Sequence, residues 1–285
     1  MNDSHESSRG GAERDPSNTA DQEPISSEYA RSWLLVPATQ AAELPLVTAD
    51  RLVLDLEDGV PIGQRSHARQ VLRGWANNGG QAWVRINPAT TADWCHDLET
   101  IQDCVGIRGV VLAKTEYGSE IGRTTAALNG SREVRALIET AVGVLNLREI
   151  TQARPTRLAL GSGDFSRDTR AKDGSPTLTA ARVAMVFSSA AAGLPAPIDG
   201  PTLSGDEATI LHRCSQARDL GMGGKLCLRD SDAKIVNRGF SPSQDEIYAA
   251  LQLVNQSADK VDGSYPPRRK RAQAILNHAG ALNLL

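Results

Sequence analysis

The sequence predicts an α/β fold, a TIM (β/α)8 barrel that carries a C-terminal helical extension. Short apolar runs alternate with amphipathic segments along most of the chain, as in parallel strands joined by helices. The length of 285 residues suits one large barrel domain. A doubly wound open sheet is the less favoured alternative, because no Gly-x-Gly-x-x-Gly turn opens the first helix.

The candidate strands are short apolar segments, and several of them end in a charged residue. They cover residues 31–37, 52–56, 82–87, 109–114, 134–140, 158–164, 196–199 and 223–228. Between them, apolar residues recur at helical spacing; Val71, Leu72 and Trp75, for example, share one face of a predicted helix. The predicted helices cover residues 63–75, 93–102, 119–128, 142–150, 178–192 and 206–220.

The chain divides into three predicted parts: a disordered tail over residues 1–28, a catalytic barrel domain over 29–240 and an extension over 241–285. The tail is rich in Ser, Asp, Glu, Asn and Gly, so it buries too little apolar area to offset the entropy of ordering. The extension contains prolines and a basic run at 268–271, which we interpret as the solvated start of a helix.

Charge and cysteine usage exclude several classes of function. The formal net charge of −3 gives no basic surface for nucleic acid or a membrane. Cys95, Cys104, Cys214 and Cys227 show no C-x-x-C spacing and no histidine pairing suited to zinc, so we expect reduced thiols. No apolar run approaches the roughly 18 residues of a membrane span, and the N-terminus lacks a signal-peptide core. We therefore expect a soluble, cytoplasmic protein.

An acidic cluster stands out at residues 52–60, where an apolar run ends in Asp55, Glu57 and Asp58 and is followed at once by glycine. An ionised carboxylate in an apolar interior must be paired or bound to a cation. The C-terminal end of a barrel strand is where a metal or substrate would lie. The alternative interpretation, a solvated strand-to-loop edge, remains open for this segment alone.

Other predicted strands also end in polar side chains, which the barrel would bring to the same face. These residues are Arg85, Lys114, Glu139, Asp164 and Asp199. Hard oxygen ligands suit Mg²⁺, which typically takes one or two protein carboxylates together with water and substrate oxygens. An arginine beside the ion can hold a substrate carboxylate through two parallel hydrogen bonds. Chelation of a 2-oxo acid would stabilise the enolate formed when a carbon–carbon bond breaks or forms.

Several motifs, in this order along the chain, resemble those of the citrate lyase β subunit and its relatives in the HpcH/HpaI aldolase superfamily. They are Arg-Ser-Trp-Leu-Leu-Val-Pro at 31–37, Leu-Asp-Leu-Glu-Asp-Gly-Val at 54–60, Val-Arg-Ile-Asn at 84–87, Leu-Ile-Glu-Thr at 137–140, Gly-Ser-Gly-Asp-Phe at 161–165, Ala-Gly-Leu-Pro-Ala-Pro-Ile-Asp at 192–199 and Gly-Gly-Lys-Leu-Cys at 223–227. The resemblance covers roughly residues 31–253, with a weaker continuation to the end.

The resemblance implies a TIM barrel that assembles as a homotrimer or homohexamer. It implies carbon–carbon bond cleavage or formation in acyl-CoA adducts of citrate, malate or citramalate, with Mg²⁺ as the cofactor. The metal carboxylates of the family fall on Glu139 and Asp164, and the arginine for the substrate carboxylate falls on Arg85.

The resemblance also assigns roles to residues around that centre. Glu57 and Asp58 would orient the substrate or the water of the metal. Lys114 matches a lysine at the end of a strand, and Arg65 and Arg69 match basic residues of the first helix that would contact CoA or phosphate.

Three departures from the family pattern bear on the chemistry. Ala113 replaces a proline before Lys114, and an Ile-His-Pro triplet is replaced at residues 228–230. In CoA lyases of the family, an aspartate of a C-terminal segment reaches a neighbouring subunit and acts as the acid/base. Pro267 stands in that position here, with Asp262 and Tyr265 as the nearest substitutes. The general acid/base is therefore unassigned.

Three functions remain open at this stage. The first is a Mg²⁺-dependent carbon–carbon lyase or aldolase for a 3-hydroxy acid or its acyl thioester, carried by CoA or a carrier protein. The second is an aldolase that uses pyruvate or oxaloacetate with a partner other than CoA. The third is a non-catalytic relative that binds a metabolite or a partner protein in a larger assembly, which the intact carboxylate pair disfavours.

Overall fold

The computed structural model describes residues 25–255 and 264–285. Within these residues, eight parallel strands form a closed barrel in which each strand pairs with the next and the last pairs with the first. The predicted TIM barrel is thereby confirmed. The strands are β1 (Ser32–Pro37), β2 (Arg51–Asp55), β3 (Ala82–Ile86), β4 (Ile107–Leu112), β5 (Glu133–Ile138), β6 (Leu158–Leu160), β7 (Ile198–Asp199) and β8 (Gly224–Cys227).

Helices connect the strands and follow the barrel at the C-terminus. They are α1 (Arg65–Asn77), α2 (Ala92–Gln102), α3 (Gly118–Ala127), α4 (Ala141–Leu145), α5 (Leu147–Gln152), α6 (Ser162–Thr169), α7 (Pro176–Ala192), α8 (Glu207–Asp219), α9 (Asp230–Phe240), α10 (Gln244–Val254) and α11 (Tyr265–Ala281). Short 3₁₀ helices cover Ala38–Glu43 and Ile62–Gln64.

Two predicted segments differ from the structure. The segment 158–164 is not a strand throughout: β6 ends at Leu160, and Ser162 begins α6. The single helix predicted over 142–150 is divided at Asn146 into α4 and α5. The first difference matters for the site, because it places Asp164 in the first turn of a helix rather than at the end of a strand.

The core has two layers that follow the alternation of side chains along the strands. Trp33, Val53, Trp83 and Leu137 belong to a buried cluster that fills the interior of the barrel. The alternate strand residues, such as Leu54, belong to a larger cluster shared with the helices outside. A strand residue therefore faces the interior or the helices according to its position in this alternation.

The same alternation sets the direction of the polar side chains that lie at the strand ends. Asp55 and Arg85 lie two positions beyond Val53 and Trp83, so they continue the inward-facing row of β2 and β3. Glu139 follows β5 with the same orientation. Three charged side chains from separate strands thus converge above the apolar filling of the barrel.

The chain ends are only partly described. Residues 1–24 of the predicted tail lie outside the described residues. In its described part, the Ser27 hydroxyl donates to the carboxylate of Glu133 at 3.0 Å. In the extension, α10 and α11 pack through a buried cluster that includes Ile247, Ala272 and Leu276. The basic run at 268–271 is exposed in the first turns of α11. None of the helices among the described residues is both long enough and apolar enough to cross a bilayer.

Candidate active site

Asp55 and Arg85 form a fixed ion pair at the centre of the site. Arg85 donates from Nε to Oδ1 of Asp55 at 2.7 Å and from Nη2 to Oδ2 at 2.6 Å. The backbone amides of Glu57 and Gly59 donate to the same carboxylate at 2.9 and 2.8 Å. A Cβ atom on residue 59 would lie 2.2 Å from Oδ2 of Asp55, so only glycine allows this approach. Burial opposes the charge of Arg85, but the hydrogen bonds and charge of Asp55 outweigh it and raise the pKa of the guanidinium.

Lys114 bridges the two other acids of the cluster. Its Nζ atom pairs with Oε1 of Glu57 and lies 3.0 Å from Oδ2 of Asp58. Burial raises the pKa of Glu57 despite the opposing charges of Arg85 and Lys114. For the more exposed Asp58, desolvation is outweighed by the hydrogen bond and charge of Lys114, so its pKa is lowered. The two adjacent acids therefore differ in acidity because one is buried and the other faces solvent.

Glu139 is the most strongly perturbed carboxylate of the site. Its side chain is buried, and the backbone amide of Lys114 donates to Oε1 at 2.8 Å. Lys114 makes this contact from the left-handed region, with φ 47°. Burial raises the pKa of Glu139 to about 8; Arg85 opposes the rise, and the charges of Glu57 and Asp164 add to it. A cation near this carboxylate would remove most of that penalty.

Asp164 lies in the first turn of α6, where the helix N-terminus favours a negative charge. Oδ1 pairs with Arg167 of the same helix, and Oδ2 lies 3.9 Å from Nζ of Lys114. The side chain of Asp164 is 14% exposed, whereas that of Arg167 is 74% exposed. Asp164 therefore lies between the ammonium group of Lys114 and the guanidinium group of the exposed Arg167.

These side chains border a cavity of about 200 Å³ at the C-terminal end of the barrel. Arg85, Glu139, Asp164 and Arg167 supply its charged wall. Its other lining residues are small or apolar, with Asp58 as the remaining acid: Leu35, Asp58, Leu137, Gly161, Ser162, Gly163, Pro201, Leu226 and Leu228. The cavity combines three carboxylates and two guanidinium groups with apolar lining residues, which suits a small anion bound together with a cation.

The carboxylates of Glu139 and Asp164 are a suitable donor set for Mg²⁺. Over residues 25–255 and 264–285, no three His, Cys, Asp or Glu side chains gather into a complete metal cluster. Mg²⁺ does not need one, because it fills most of its octahedral shell with water and substrate oxygens. A Cβ atom on Gly161 would lie 2.2 Å from Oε2 of Glu139, so glycine leaves that oxygen accessible. The buried Oε2 of Glu57 accepts no hydrogen bond from the described groups and lies 3.3 Å from Nη1 of Arg85, with which it forms an ion pair.

Comparison with known proteins identifies the family of the chain. Residues 31–230 match the model of the HpcH/HpaI aldolase/citrate lyase family. The chain belongs to that family. The resemblance predicted from the motifs is thus confirmed.

Curated members of the family that resemble this chain carry two kinds of name. A (3S)-malyl-CoA thioesterase of Cereibacter sphaeroides is 28% identical over 235 residues, which are 79% of this chain and 81% of the relative. A citrate lyase subunit beta-like protein of Mycobacterium tuberculosis is 29% identical over 237 residues, covering 79% and 84%. One name states a thioesterase and the other a likeness to a lyase subunit, so the relatives do not share one stated activity.

Solved structures of the family show the same architecture. The CitE protein of Mycobacterium tuberculosis in complex with magnesium, acetoacetate and coenzyme A has a TM-score of 0.74 and 25% identity, covering 89% of this chain and 99% of the other. A citrate lyase β subunit of that organism, complexed with oxaloacetate and magnesium, has a TM-score of 0.66 and 26% identity, covering 75% and 99%.

Arg65 and Arg69 lie apart from the charged cavity. Arg65 donates to Asp93 at 2.6 Å, and Arg69 pairs with Asp93 and donates to Asp97 at 2.7 Å. Asp97 also accepts from the backbone amide of Asn87 at 2.9 Å. Both arginines thus connect α1 to α2. Contact of these arginines with CoA or phosphate remains a prediction. Such contact would involve guanidinium groups that are already paired with Asp93 and Asp97.

Asp199 is not brought to the cavity. It follows Ile198, which fills the barrel interior, so its side chain points outward to the helices. There it accepts from Lys225 at 2.7 Å and from Arg182 of α7 at 2.7 Å. These charges lower the pKa of Asp199 against the effect of burial. The residue therefore belongs to a buried ion-pair network between the barrel and α7.

The C-terminal segment does not place an acid at the cavity in the described residues. Pro267 lies in the first turn of α11, and the Tyr265 hydroxyl donates to the carbonyl of Leu253 at 3.5 Å. Asp262 lies outside the described residues.

Arg167 was not predicted as a site residue from the sequence, because an exposed arginine in an unpredicted helix carries no signal of its own.

Proposed function

We propose that this protein is a Mg²⁺-dependent carbon–carbon lyase or aldolase that acts on a 3-hydroxy acid or its acyl thioester. The substrate would be of the citramalyl-, malyl- or citryl-CoA type. The observation that carries the proposal is the convergence of Glu139, Asp164 and Arg85 on one small cavity at the C-terminal end of the barrel. Family membership and the magnesium in related structures support it.

Glu139 and Asp164 would hold the ion. Bound Mg²⁺ would supply Lewis-acid polarisation of a 2-oxo acid and would stabilise the enolate charge that develops as the carbon–carbon bond breaks or forms. Glu139 is suited to this position, because burial and two neighbouring acids make its charge costly until a cation is present.

Arg85 would bind the carboxylate of the 2-oxo acid. Asp55 holds the plane of the guanidinium through two hydrogen bonds, so little rotational freedom is lost when a substrate docks. Nη1 of Arg85 lies 3.3 Å from Oε2 of Glu57 and is the guanidinium nitrogen not used by Asp55. A substrate carboxylate could therefore approach this edge of Arg85.

Glu57, Asp58 and Lys114 would position the substrate and balance its charge. Lys114 holds Oε1 of Glu57, while the buried Oε2, which accepts no hydrogen bond and lies 3.3 Å from Arg85, would accept one from a substrate hydroxyl. Lys114 stays protonated, because its two acidic partners raise its pKa despite partial burial. It would therefore act as a fixed positive charge rather than as a base.

The residue at position 267 bears on both the thioester partner and the acid/base. Pro267 replaces the acid expected of a CoA lyase, which favours either a different proton donor or an aldolase that uses pyruvate or oxaloacetate without CoA. Hydrolysis of the thioester is a second candidate function, supported by relatives named (3S)-malyl-CoA thioesterase.

A turnover screen with citramalyl-, malyl- and citryl-CoA separates these functions. The lyase reaction yields a 2-oxo acid and an acyl-CoA, whereas hydrolysis yields a free thiol and a hydroxy acid. Release of pyruvate or oxaloacetate from free hydroxy acids alone would favour the aldolase without CoA. Absence of all these products, with Mg²⁺ present, would contradict the enzymatic proposal and favour a metabolite-binding relative.

A further inference from the structure

Arg167 is a second arginine on the wall of the cavity, and its side chain is less constrained by neighbouring groups than that of Arg85. The guanidinium of Arg85 is fixed by Asp55 and approached by Glu57. The side chain of Arg167 is 74% exposed, and its ion pair within the described residues is the one with Asp164. Arg167 can therefore change partners at small cost, because an exposed ion pair contributes little free energy.

That ion pair competes with the proposed metal site. Arg167 occupies Oδ1 of Asp164, and Nζ of Lys114 lies 3.9 Å from Oδ2. A guanidinium and Mg²⁺ cannot share Oδ1 without strong repulsion between their charges. Binding of the ion at Oδ1 of Asp164 would therefore release Arg167 at the edge of the cavity, where its planar fork can take a carboxylate.

Building on the function proposed above, we infer that Arg167 is a specificity-determining residue for a 2-oxo acid with a second, distal carboxylate. In the metal-free protein it pairs with Asp164; in the metal-bound protein it binds the distal carboxylate. Arg85 on β3 and Arg167 on α6 line the same cavity, together with the acids Asp58, Glu139 and Asp164. A monocarboxylate such as pyruvate offers one anionic group to this pair of arginines, whereas oxaloacetate offers two.

Calorimetry on the full chain tests the inference with Arg167→Ala, Arg167→Lys and a control. Arg148→Ala is the control, because Arg148 is an exposed arginine on α5 that does not line the cavity. Mg²⁺ alone is titrated first; pyruvate and freshly prepared oxaloacetate are then titrated at saturating Mg²⁺.

The inference predicts two effects of opposite sign for Arg167→Ala. Its affinity for Mg²⁺ alone should rise about twofold to fivefold, as expected for loss of a competing exposed ion pair. Its preference for oxaloacetate over pyruvate should fall about fivefold to tenfold, as expected for loss of a charged hydrogen-bonding partner. Arg167→Lys should retain part of the preference, and Arg148→Ala should match the wild type in both titrations.

The outcomes separate this inference from the proposed function. If the wild type binds Mg²⁺ and both acids, and Arg167→Ala changes neither the affinity for Mg²⁺ nor the preference, the inference is wrong and the proposed function stands. An equal loss of affinity for both acids would also overturn it, since it would show general disruption of the site. If the wild type binds none of these ligands, the proposed function itself fails.

Discussion

Among single residues, Gly161 makes the clearest contribution to the metal site. Its Cβ position would lie 2.2 Å from Oε2 of Glu139, whereas a Cβ on Gly163 of the same turn would meet no atom within 4 Å. We predict that Gly161→Ala weakens Mg²⁺ binding about tenfold to hundredfold, as is typical when support of a ligand is disturbed. Gly163→Ala should bind as the wild type does, which calorimetry can measure. Equal affinities for Mg²⁺ in the two variants would show that Glu139 is not a ligand.

The candidate site was partly predictable at this scale. Asp55, Glu57 and Asp58 end an apolar run, so the pairing of the buried Asp55 and Glu57 with cationic side chains followed from the cost of an isolated buried charge. The pairing of Arg65 and Arg69 with α2 could not be predicted from the sequence, because the partner of an arginine depends on which helices become neighbours.

At the scale of elements, hydrophobic patterning predicted the strands but not every boundary. The barrel strands form apolar runs because they are covered on both faces, and such runs are visible in a sequence. The turn 161–164 was assigned to a strand because it follows an apolar run directly, whereas Ser162 already begins α6. Asp199 was predicted to face the cavity, but a two-residue β7 turns it outward.

His278 connects the extension to the segment before β1. Its ring stacks on Tyr29, with 5.6 Å between centroids. Burial, assisted by the charges of Arg31 and Arg218, lowers the pKa of His278 to about 4. In the unfolded chain an ordinary histidine binds a proton near pH 6.5. Between these pH values the unfolded state therefore holds more protons, and the free energy of unfolding falls as the pH is lowered from 6.5 toward 4.

We predict that His278 lowers the free energy of unfolding by about 1 kcal/mol when the pH falls from 7.5 to 5, a value discounted for its partial exposure. Denaturant unfolding of the wild type and His278→Gln at both pH values measures this contribution. The free energy of unfolding of the variant should fall by about 1 kcal/mol less than that of the wild type. The same pH dependence in both proteins would contradict the stacked arrangement.

At the scale of the whole molecule, the two ends of the barrel carry different charged side chains. The C-terminal end carries the acids and the cavity, whereas the opposite end encloses Arg135 and Arg157, both buried. Cζ of Arg135 lies 3.6 Å from the ring centroid of Trp83 and 4.0 Å from that of Trp33, and its Nε and Nη1 lack hydrogen-bond partners among the described groups. This arrangement serves packing rather than catalysis.

The two arginines should respond oppositely to replacement by methionine. Arg135→Met should leave the free energy of unfolding unchanged or raise it by about 1 kcal/mol, because it removes a poorly paired buried charge. Arg157 donates to the carbonyls of Ala196 at 2.6 Å and Ala30 at 2.9 Å. Arg157→Met should therefore lower the free energy of unfolding by about 2 kcal/mol, since buried acceptors lose their donors. Denaturant unfolding compares the two variants; equal destabilisation would contradict this view of the N-terminal end.

In the proposed function, Glu139, Asp164 and Arg85 form one site for Mg²⁺ and a 2-oxo acid. Calorimetric titration of oxaloacetate or pyruvate into the protein with Mg²⁺ measures whether they do. We predict saturable binding by the wild type and by Glu99→Gln, an exposed change on α2, and no detectable binding by Glu139→Ala or Arg85→Ala. A wild type that binds neither acid in the presence of Mg²⁺, or variants that bind as tightly as the wild type, would contradict it.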